Sequence, residues 1–452
     1  LALGSGDVVA SGNLRPPNQQ GRDQQTGPGQ QQRGGGERIP FPMPRQNRRS
    51  YVGPPRGEDP LAGLYGEEGM SPGQLSEEIE KQDEQRRLAT LEDVINTKDM
   101  PTQHNSPIYK DHRANLDASP VMTLRASGAL IFGKTHTTEF ATCQKGPITC
   151  NPHDPTRTPG GSSSGSGAVV ADFQVPISLG TQTGGSTLRP GSYNGIYALK
   201  PTWNAISREG LKIWLYARSV ADLELLAKVF RLEDDVTPSP EPFSLKGAKF
   251  GFTKTSVWPK AEEPVREAFT LAKKLLEAKG AIVEDVELPE EFTILQEKYR
   301  HILAGEGRAA FLGDYLGNKD LLDPLILDHV ENHSKMSRAD QVDAYDFIAA
   351  LRPVIDKIAG KYACLITPSV TSEPPVTTEP MRYTGDASFQ LQWSVLHPPA
   401  INVPGFEGPN SMPIGLTLVA PRYHDQALLK VAEAVGNCWN AGGGFTSKLA
   451  DF

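Results

Sequence analysis

Two serine–glycine runs lie close together in one stretch of this chain. Residues 160–190 read GGSSSGSGAVVADFQVPISLGTQTGGSTLRP. The first run leads into SSGSGAVVADF, which predicts a helix, and VPISLGT predicts a buried strand that ends at the second run. Helical and strand patterns alternate on both sides of this stretch. This alternation indicates an α/β protein with a largely parallel or mixed sheet.

Further elements follow from the same periodicities. Apolar runs predict strands at ALIFGKT, KFGFTKT, AIVEDVEL, ACLITPSV, PAINVP and PIGLTLVA. Amphipathic spacing predicts helices at DASPVMTLRASG, SVADLELLAKVFRL, EEPVREAFTLAKKLLEAKG and DQALLKVAEAVGNCW. Nearer the start, SPGQLSEEIEKQDEQRRLATLEDVI (71–95) predicts a polar helix that begins at Ser76 and continues into LEDVINT.

Composition limits the function classes. The 452 residues carry a formal net charge of -8, so the chain as a whole offers no basic surface for nucleic acid. Four scattered cysteines favour a reducing compartment, although Cys143 and Cys150 could bridge in a secreted chain. We find no run of about 18 apolar residues and expect no membrane span. The expected location is cytoplasmic.

The first 72 residues differ from the rest. They are rich in Gln, Gly, Pro and Arg, and so few apolar side chains predict a disordered tail. The chain begins at Leu1, and LALGSGDVVASG lacks the basic start and long apolar core of a signal peptide. A fragment or a processed product is therefore one interpretation of this start.

The serine–glycine runs admit several chemistries. GGSSSGSG lacks the lysine of a P-loop and the spacing of a dinucleotide fingerprint, which argues against phosphate binding. GSSSG also fits the GxSxG nucleophile elbow, with Ser163 as nucleophile, but the preceding NPHDPTRTPG is a loop where an elbow needs a strand. A serine–histidine–acid hydrolase would also need a later histidine; the candidates are His301, His329, His333, His397 and His424.

A serine–lysine chemistry uses both runs together. A serine hydroxyl is a weak nucleophile until a base takes its proton, and a neutral lysine can be that base if burial lowers its pKa. Lys134 ends the apolar strand ALIFGKT, where burial is expected. The ordered elements are then Lys134, GGSSSGSG and GTQTGGS.

This arrangement resembles the amidase signature family. The resemblance is carried by GKTHTTEFA, TPGGSSSGSGAVVA and LGTQTGGSTLRPGSYNGIYALKPTW, and it extends over roughly residues 89–440. It implies a single α/β domain, with a central mixed, mostly parallel sheet covered by helices. We place that domain at 73–452, after the tail 1–72, with its signature core at 117–203.

The resemblance also implies roles for particular residues. The serine of the GGS run, Ser186, is the nucleophile, and Ser162, the first serine of GGSS, relays its proton beside a cis peptide. Lys134 is the base, and backbone N–H groups form the oxyanion hole at Thr183, Gly184, Gly185 and Ser186. No metal or organic cofactor is needed. Arg189 supports the loop, and Gln182 stands where many members have aspartate.

Two segments depart from the family. Before LEDVINTKDMPT the family has a strand of the type LxGxPxxVKD, whereas a charged helix is expected here, so a core strand is missing. After SREGLKI the family continues through a loop before ARSVAD, whereas this chain reads LKIWLYARSV. Because this region lies near the site in the fold, these gaps put activity in doubt.

The expected activity is hydrolysis of a small aliphatic or aryl amide to an acid and ammonia or an amine. One alternative is a catalytically impaired amidase-fold protein, and another is an amidotransferase-like subunit that depends on glutamine. The third is an RNA-associated role through the Arg-containing tail. The expected partner is a small-molecule amide rather than nucleic acid, and a homodimer is left open.

Overall fold

The computed structural model describes residues 88–206, 213–379 and 381–442, together with residues 444, 445, 447 and 449. The predicted tail 1–72, the boundary at residue 73 and the beginning of the predicted polar helix all lie outside these residues. They stay predictions.

A single ten-stranded sheet organises the described chain. In spatial order its strands are β2, β1, β3, β5, β4, β9, β10, β8, β6 and β7. Their bounds are β1 Leu88–Glu92, β2 Leu130–Thr135, β3 Ile177–Thr181, β4 Tyr197–Lys200, β5 Ile213–Ala217, β6 Lys249–Phe252, β7 Ile282–Asp285, β8 Cys364–Pro368, β9 Ala400–Glu407 and β10 Pro413–Val419.

The pairing directions divide the sheet into three parts. At one end β1 pairs in parallel with β2 and β3, and at the other β6 pairs in parallel with β7 and β8. Between them, β5, β4, β9 and β10 make antiparallel pairs. The predicted α/β fold with a mixed sheet is confirmed. Its parallel pairs lie in the outer parts of the sheet and not throughout.

Helices cover the sheet and build the walls of the site. They are α1 Ser119–Ala126, α2 Ser164–Ala171, α3 Leu188–Tyr193, α4 Val220–Val229, α5 Glu263–Ala278, α6 Leu295–Ala310, α7 Leu312–Asn318, α8 Pro324–Glu331, α9 Arg338–Ala359, α10 Ser388–Leu396 and α11 Asp425–Ala441. Among the described helices none is both long and apolar enough to cross a membrane.

The core strand expected to be missing is present. LATLE, which the sequence assigns to the end of a polar helix, forms β1 between β2 and β3. Ala89 and Leu91 are buried and pair with Ile177 and Leu179 of β3. The helix prediction is wrong here because strand pairing on both sides overrides the local preference of the charged flanking sequence.

The shortened segment after β4 also leads into an intact strand. IWLYA forms β5, is buried throughout, and pairs with both β3 and β4. A second expectation needs correction at β2, which is an edge strand and not a buried one. Its side chains Leu130 and Phe132 are 57% and 65% exposed. β2 is the last strand of the sheet and pairs with β1 along one edge, while no described strand pairs with its other edge.

Candidate functional site

Strand β3 brings the two serine–glycine runs side by side. The Ser163 amide in the first run donates to the Ser186 carbonyl in the second across 3.3 Å. The Ser163 hydroxyl accepts from the Thr181 amide, where β3 ends, at 3.0 Å. The sequence interpretation that the buried VPISL strand sets the two runs together agrees with these contacts.

The turn before α2 has the backbone that the resemblance implied. The peptide bond between Gly161 and Ser162 is cis. The buried Arg189 guanidinium donates to the carbonyl oxygens of Gly161 and Gly385, and to Thr384 Oγ1 at 3.4 Å. Arg189 therefore ties the cis turn to the 384–385 loop, which agrees with its expected role as loop support.

Both candidate serines lie on one cavity. It measures about 550 Å³, and its wall includes Ser162 and the whole segment 183–186. Helices α6, α8 and α10 and the loop before α10 form the opposite parts of the wall. They contribute Gln296, Tyr299, Arg300, Leu303, Leu325, Asp328, His329, Tyr383, Asp386 and Leu391. The cavity is large enough for a small or aryl amide.

The second run is held by its carbonyl oxygens. Trp214 Nε1 donates to the Gln182 carbonyl at 3.2 Å, and the Tyr216 hydroxyl donates to the Ser186 carbonyl at 3.2 Å. Both aromatic side chains belong to β5. The strand that follows the shortened segment thus supports the loop of the candidate nucleophile.

The amides of the same loop are unused. Within the described residues, the backbone N–H groups of 183–186 donate to no protein acceptor. The Gly184 carbonyl accepts from the Ser394 hydroxyl, so the peptide units are fixed while their N–H groups stay available. Fixed backbone donors of this kind can stabilise the oxyanion of an acyl-transfer transition state.

Gln182 retains the hydrogen-bonding role expected of it. Its Oε1 accepts from the amides of Thr187 and Leu188 at 2.8 and 3.0 Å, and its Nε2 donates to Ser394 Oγ at 2.9 Å. The side chain therefore fixes the loop after Ser186 without a charge.

Lys134 is not joined to the two serines. Its ammonium donates to the Ile95 carbonyl at 2.6 Å and to Thr102 Oγ1 at 3.0 Å, and it lies 3.4 Å from Asp93 Oδ1. Burial lowers the pKa of Lys134, and the Asp93 carboxylate opposes that shift. The side chain is largely buried, as expected, but it lies outside the wall of the large cavity.

Ser162 has no partner for its hydroxyl. The buried Oγ makes no hydrogen bond to any described residue. The roles of Lys134 as base and Ser162 as relay stay predictions, because no observed hydrogen bond connects these two side chains.

Glu92 is a titratable group that sequence reasoning missed. At the end of β1, its fully buried carboxylate accepts from Thr137 Oγ1 at 2.6 Å and from Ser163 Oγ at 2.9 Å. Burial raises its pKa to about 7, and the hydrogen bonds from Thr137, Thr181 and Ser163 hold it below a still higher value. The interpretation of LATLE as helix hid it, since only the strand points this carboxyl beneath the first run.

The alternative nucleophile and the histidines fit less well. Ser163 is fully buried, and its Oγ donates to Glu92 and lies outside the wall of the cavity. A loop and not a strand precedes Ser163, so the chain does not form a nucleophile elbow there. Of the five candidate histidines, His329 lies on the cavity wall. Burial lowers the pKa of His329, which favours its neutral form.

Among the described residues, one group of side chains has ligand atoms close enough for a metal ion, within 4.8 Å: Glu139, Cys143 and Asp323. Protein donors already use two of them, since Ser106 Oγ donates to Glu139 at 2.6 Å and the Leu325 amide to Asp323 at 2.9 Å. Burial raises the pKa of the Cys143 thiol. The neutral thiol that this favours is a poor metal ligand.

A second, smaller cavity of about 250 Å³ adjoins the large one. The two share Ala141, Thr142 and Thr183. The smaller one is lined by the rings of Tyr109, Phe140, Phe311 and His104. Burial lowers the pKa of His104 to about 4, so its ring is neutral near pH 7. The same wall also contains the carboxyl of Asp314, which accepts from the Tyr109 hydroxyl at 2.8 Å.

Comparison with known proteins agrees with this geometry. The pattern of the Amidase family matches residues 88–429. The A-subunit of the glutamyl-tRNA(Gln) amidotransferase of Sulfolobus acidocaldarius is 29% identical over 411 residues, covering 77% of this chain and 84% of the relative. The crystal structure of the Thermotoga maritima A-subunit is 26% identical with a TM-score of 0.66, covering 77% and 82% of the two chains.

A crystal structure described as an amidase is 27% identical with a TM-score of 0.67, covering 79% of this chain and 84% of that one. The family match covers most of the chain, including both serine–glycine runs and β1. This chain belongs to the Amidase family and is an amide-hydrolysing enzyme.

Proposed function

We propose that the chain hydrolyses a small aliphatic or aryl carboxylic amide through an acyl-enzyme on Ser186. The Ser186 hydroxyl attacks the carbonyl carbon, Ser162 relays the proton, and the leaving amine takes it up as the C–N bond breaks. Water then releases the acid.

The observation that carries this proposal is the row of unused amides at 183–186 beside Ser186. The carbonyl oxygens of Gln182, Gly184 and Ser186 accept hydrogen bonds from Trp214, Ser394 and Tyr216, and these bonds hold the loop in place while its N–H groups stay available to an oxyanion. Each such donor contributes about 3–4 kcal/mol to transition-state binding in comparable sites.

The cavities support the substrate class. The large cavity gives room for an acyl group at Ser186, and the aromatic cavity that adjoins it at Thr183 suits an aryl group. We therefore expect aryl amides to be better substrates than aliphatic amides of equal chain length.

The test is a panel of aliphatic and aryl amides, with release of the acid followed for the parent protein, Ser186→Ala and Lys134→Ala. Activity in the parent and its loss in Ser186→Ala support the proposal. A folded parent that is inert on every amide overturns it and favours the catalytically impaired alternative.

The curated relatives favour one second candidate, a glutamine-dependent amidotransferase-like subunit. Several of them are A-subunits of glutamyl-tRNA(Gln) amidotransferases, and this chain covers 80–84% of the length of the first three. Release of ammonia from glutamine, faster than from simple aliphatic amides, would select this candidate over free amide hydrolysis.

A further inference from the structure

The smaller cavity, with its aromatic wall, is a second compartment beside the candidate nucleophile. This aromatic cavity measures about 250 Å³ and adjoins the large cavity at Thr183, the first residue of the candidate oxyanion segment 183–186. An apolar cavity of about 150 Å³ is enough to hold benzene in other proteins. The aromatic cavity therefore has room for one ring together with a polar substituent.

The rings on its wall meet at nearly right angles. The Tyr109 ring stands at 78° to the His104 ring and at 88° to the Phe140 ring, with centroids 4.9 and 5.8 Å apart. Phe311 packs against Phe140, with centroids 5.4 Å apart. Rings in this arrangement present faces in more than one direction, and the face of an aromatic ring carries partial negative charge. That charge attracts a cation placed over the ring.

A carboxylate completes the same wall. Asp314 Oδ1 accepts from the Tyr109 hydroxyl at 2.8 Å, whereas no described residue donates to Asp314 Oδ2. Asp314 is half-buried, and Ala310 on the same wall is exposed, so this carboxylate lies where the cavity meets solvent. Tyr109 thus holds one oxygen in place while the other stays available to a ligand.

The described residues that line the aromatic cavity include no lysine or arginine. Burial lowers the pKa of His104 to about 4, so its ring carries no charge near pH 7. Outside the wall, the basic groups that act on His104 are His112 and Lys134, and the Lys134 ammonium lies 3.4 Å from the Asp93 carboxylate. The formal charge of the wall at neutral pH is therefore that of Asp314.

This combination selects among three kinds of ligand group. An anionic group would meet both the Asp314 carboxylate and the negative faces of the rings. A neutral apolar group would cover Asp314 Oδ2 without giving it a donor, and a buried polar atom without a partner is unfavourable. An ammonium group on a ring or a short chain satisfies the carboxylate and the ring faces together.

We propose that the aromatic cavity is a binding site for an organic ammonium group, and that the amides hydrolysed at Ser186 carry a protonated amine that this cavity recognises. The second part rests on the proposed function. Because the two cavities adjoin at Thr183, one substrate can place its amide carbonyl at the unused N–H groups of segment 183–186 and its ammonium group against Asp314.

Binding is tested first, without turnover, by isothermal titration calorimetry at neutral pH. The probes are benzylammonium and benzyl alcohol, which share a ring and nearly the same size but differ in charge. Asp314→Asn removes the charge and keeps an oxygen for the Tyr109 hydroxyl. The matched control is Asp320→Asn, because Asp320 is an exposed carboxyl just after α7 that lines neither cavity. Tyr109→Phe keeps the ring, and Tyr109→Leu removes it.

We expect benzylammonium to bind the parent about 3–30-fold more tightly than benzyl alcohol. Asp314→Asn should remove most of this preference and leave the affinity for benzyl alcohol nearly unchanged, whereas Asp320→Asn should keep the preference. Tyr109→Phe should retain more affinity for benzylammonium than Tyr109→Leu. Circular dichroism checks that each variant is folded.

Hydrolysis then tests whether the aromatic cavity serves Ser186. Phenylacetamide and acetanilide are each compared in a para-aminomethyl and a para-hydroxymethyl form, which places the charge on the acyl side in one pair and on the amine side in the other. In at least one pair, kcat/KM should be higher for the aminomethyl form through a lower KM. Asp314→Asn should reduce that difference, and Asp320→Asn should not.

The outcomes separate the two parts of the proposal. Equal affinity of the parent for the two probes, no binding of either probe, or a preference that survives in Asp314→Asn overturns the ammonium site. An active parent that shows no preference for either aminomethyl amide contradicts the substrate class. A parent that binds benzylammonium but hydrolyses no amide and does not react with a fluorophosphonate at Ser186 contradicts the proposed function and leaves the binding site standing.

Discussion

The hydroxyl of Ser163 donates to the carboxylate of Glu92 across 2.9 Å, within a fully buried contact between the first serine–glycine run and β1. This contact couples the ionisation of a single carboxyl to the turn that carries Ser162.

Glu92→Gln should stabilise the protein at high pH. The folded pKa of Glu92, about 7, exceeds its ordinary value of 4.5, so its contribution is present in full below pH 4.5 and is lost as the pH rises through 7. The parent therefore loses about 3 kcal/mol of unfolding free energy over this range. Urea unfolding should give Glu92→Gln a larger unfolding free energy than the parent at pH 8. The difference between the two proteins should be smaller at pH 5. An equal difference in unfolding free energy at both pH values would contradict the assigned pKa.

Gly185→Ala should impair the oxyanion loop. A Cβ at Gly185 would lie 3.0 Å from the Cβ atoms of both Ala387 and Gln390, so the loop must move away from α10. We expect kcat to fall by about 10²–10³-fold, the loss typical of one displaced oxyanion donor. Gly133→Ala is the matched control, since nothing lies within 4 Å of its added Cβ. Equal kinetics for the two variants would argue against the loop's role.

Arg189→Met should loosen the cis turn and the 384–385 loop together. Its guanidinium satisfies the carbonyl oxygens of Gly161 and Gly385, and charged hydrogen bonds of this kind contribute about 1.5–3 kcal/mol each. We expect the unfolding free energy to fall by about 3 kcal/mol or more. Chemical denaturation measures this, with the exposed Arg113→Met as control. A loss no greater than that of the control would show that Arg189 is dispensable.

Ser186→Ala should abolish hydrolysis without unfolding the protein. The side chain is small, and its hydroxyl is the attacking atom, so kcat should fall by roughly 10⁴–10⁶-fold while the unfolding midpoint stays near that of the parent. Steady-state assays together with thermal unfolding measure both quantities. Residual activity near the parent's level would remove Ser186 from the mechanism.

Most of the fold could be predicted from the sequence because its elements have strong periodic patterns. The strands around VPISL and the helix at Glu263–Ala278 show the spacing that their burial requires. The adjacency of the two serine–glycine runs was also predictable. Ser162 and segment 183–186 lie on a single cavity because helix α2 and strand β3, which connect them, bring the two runs back together.

The failures have one physical cause. LATLE and IWLYA form strands because β3 and its neighbours pair with them, and such pairing is invisible in local propensity. Glu92 was missed together with β1. The order of residues also does not reveal that the Lys134 ammonium lies against Ile95, Thr102 and Asp93. Which groups a buried side chain contacts is set by tertiary packing, which the order of residues does not reveal.

Mass spectrometry of the folded protein after reaction with a fluorophosphonate tests the central claim most directly. Such a probe reacts with a serine only if that serine is activated as a nucleophile beside oxyanion donors. The account predicts one covalent adduct on the peptide that contains Ser186, which is absent from Ser186→Ala. An adduct on Ser162 or Ser163 in its place, or no adduct on the folded parent, would contradict it.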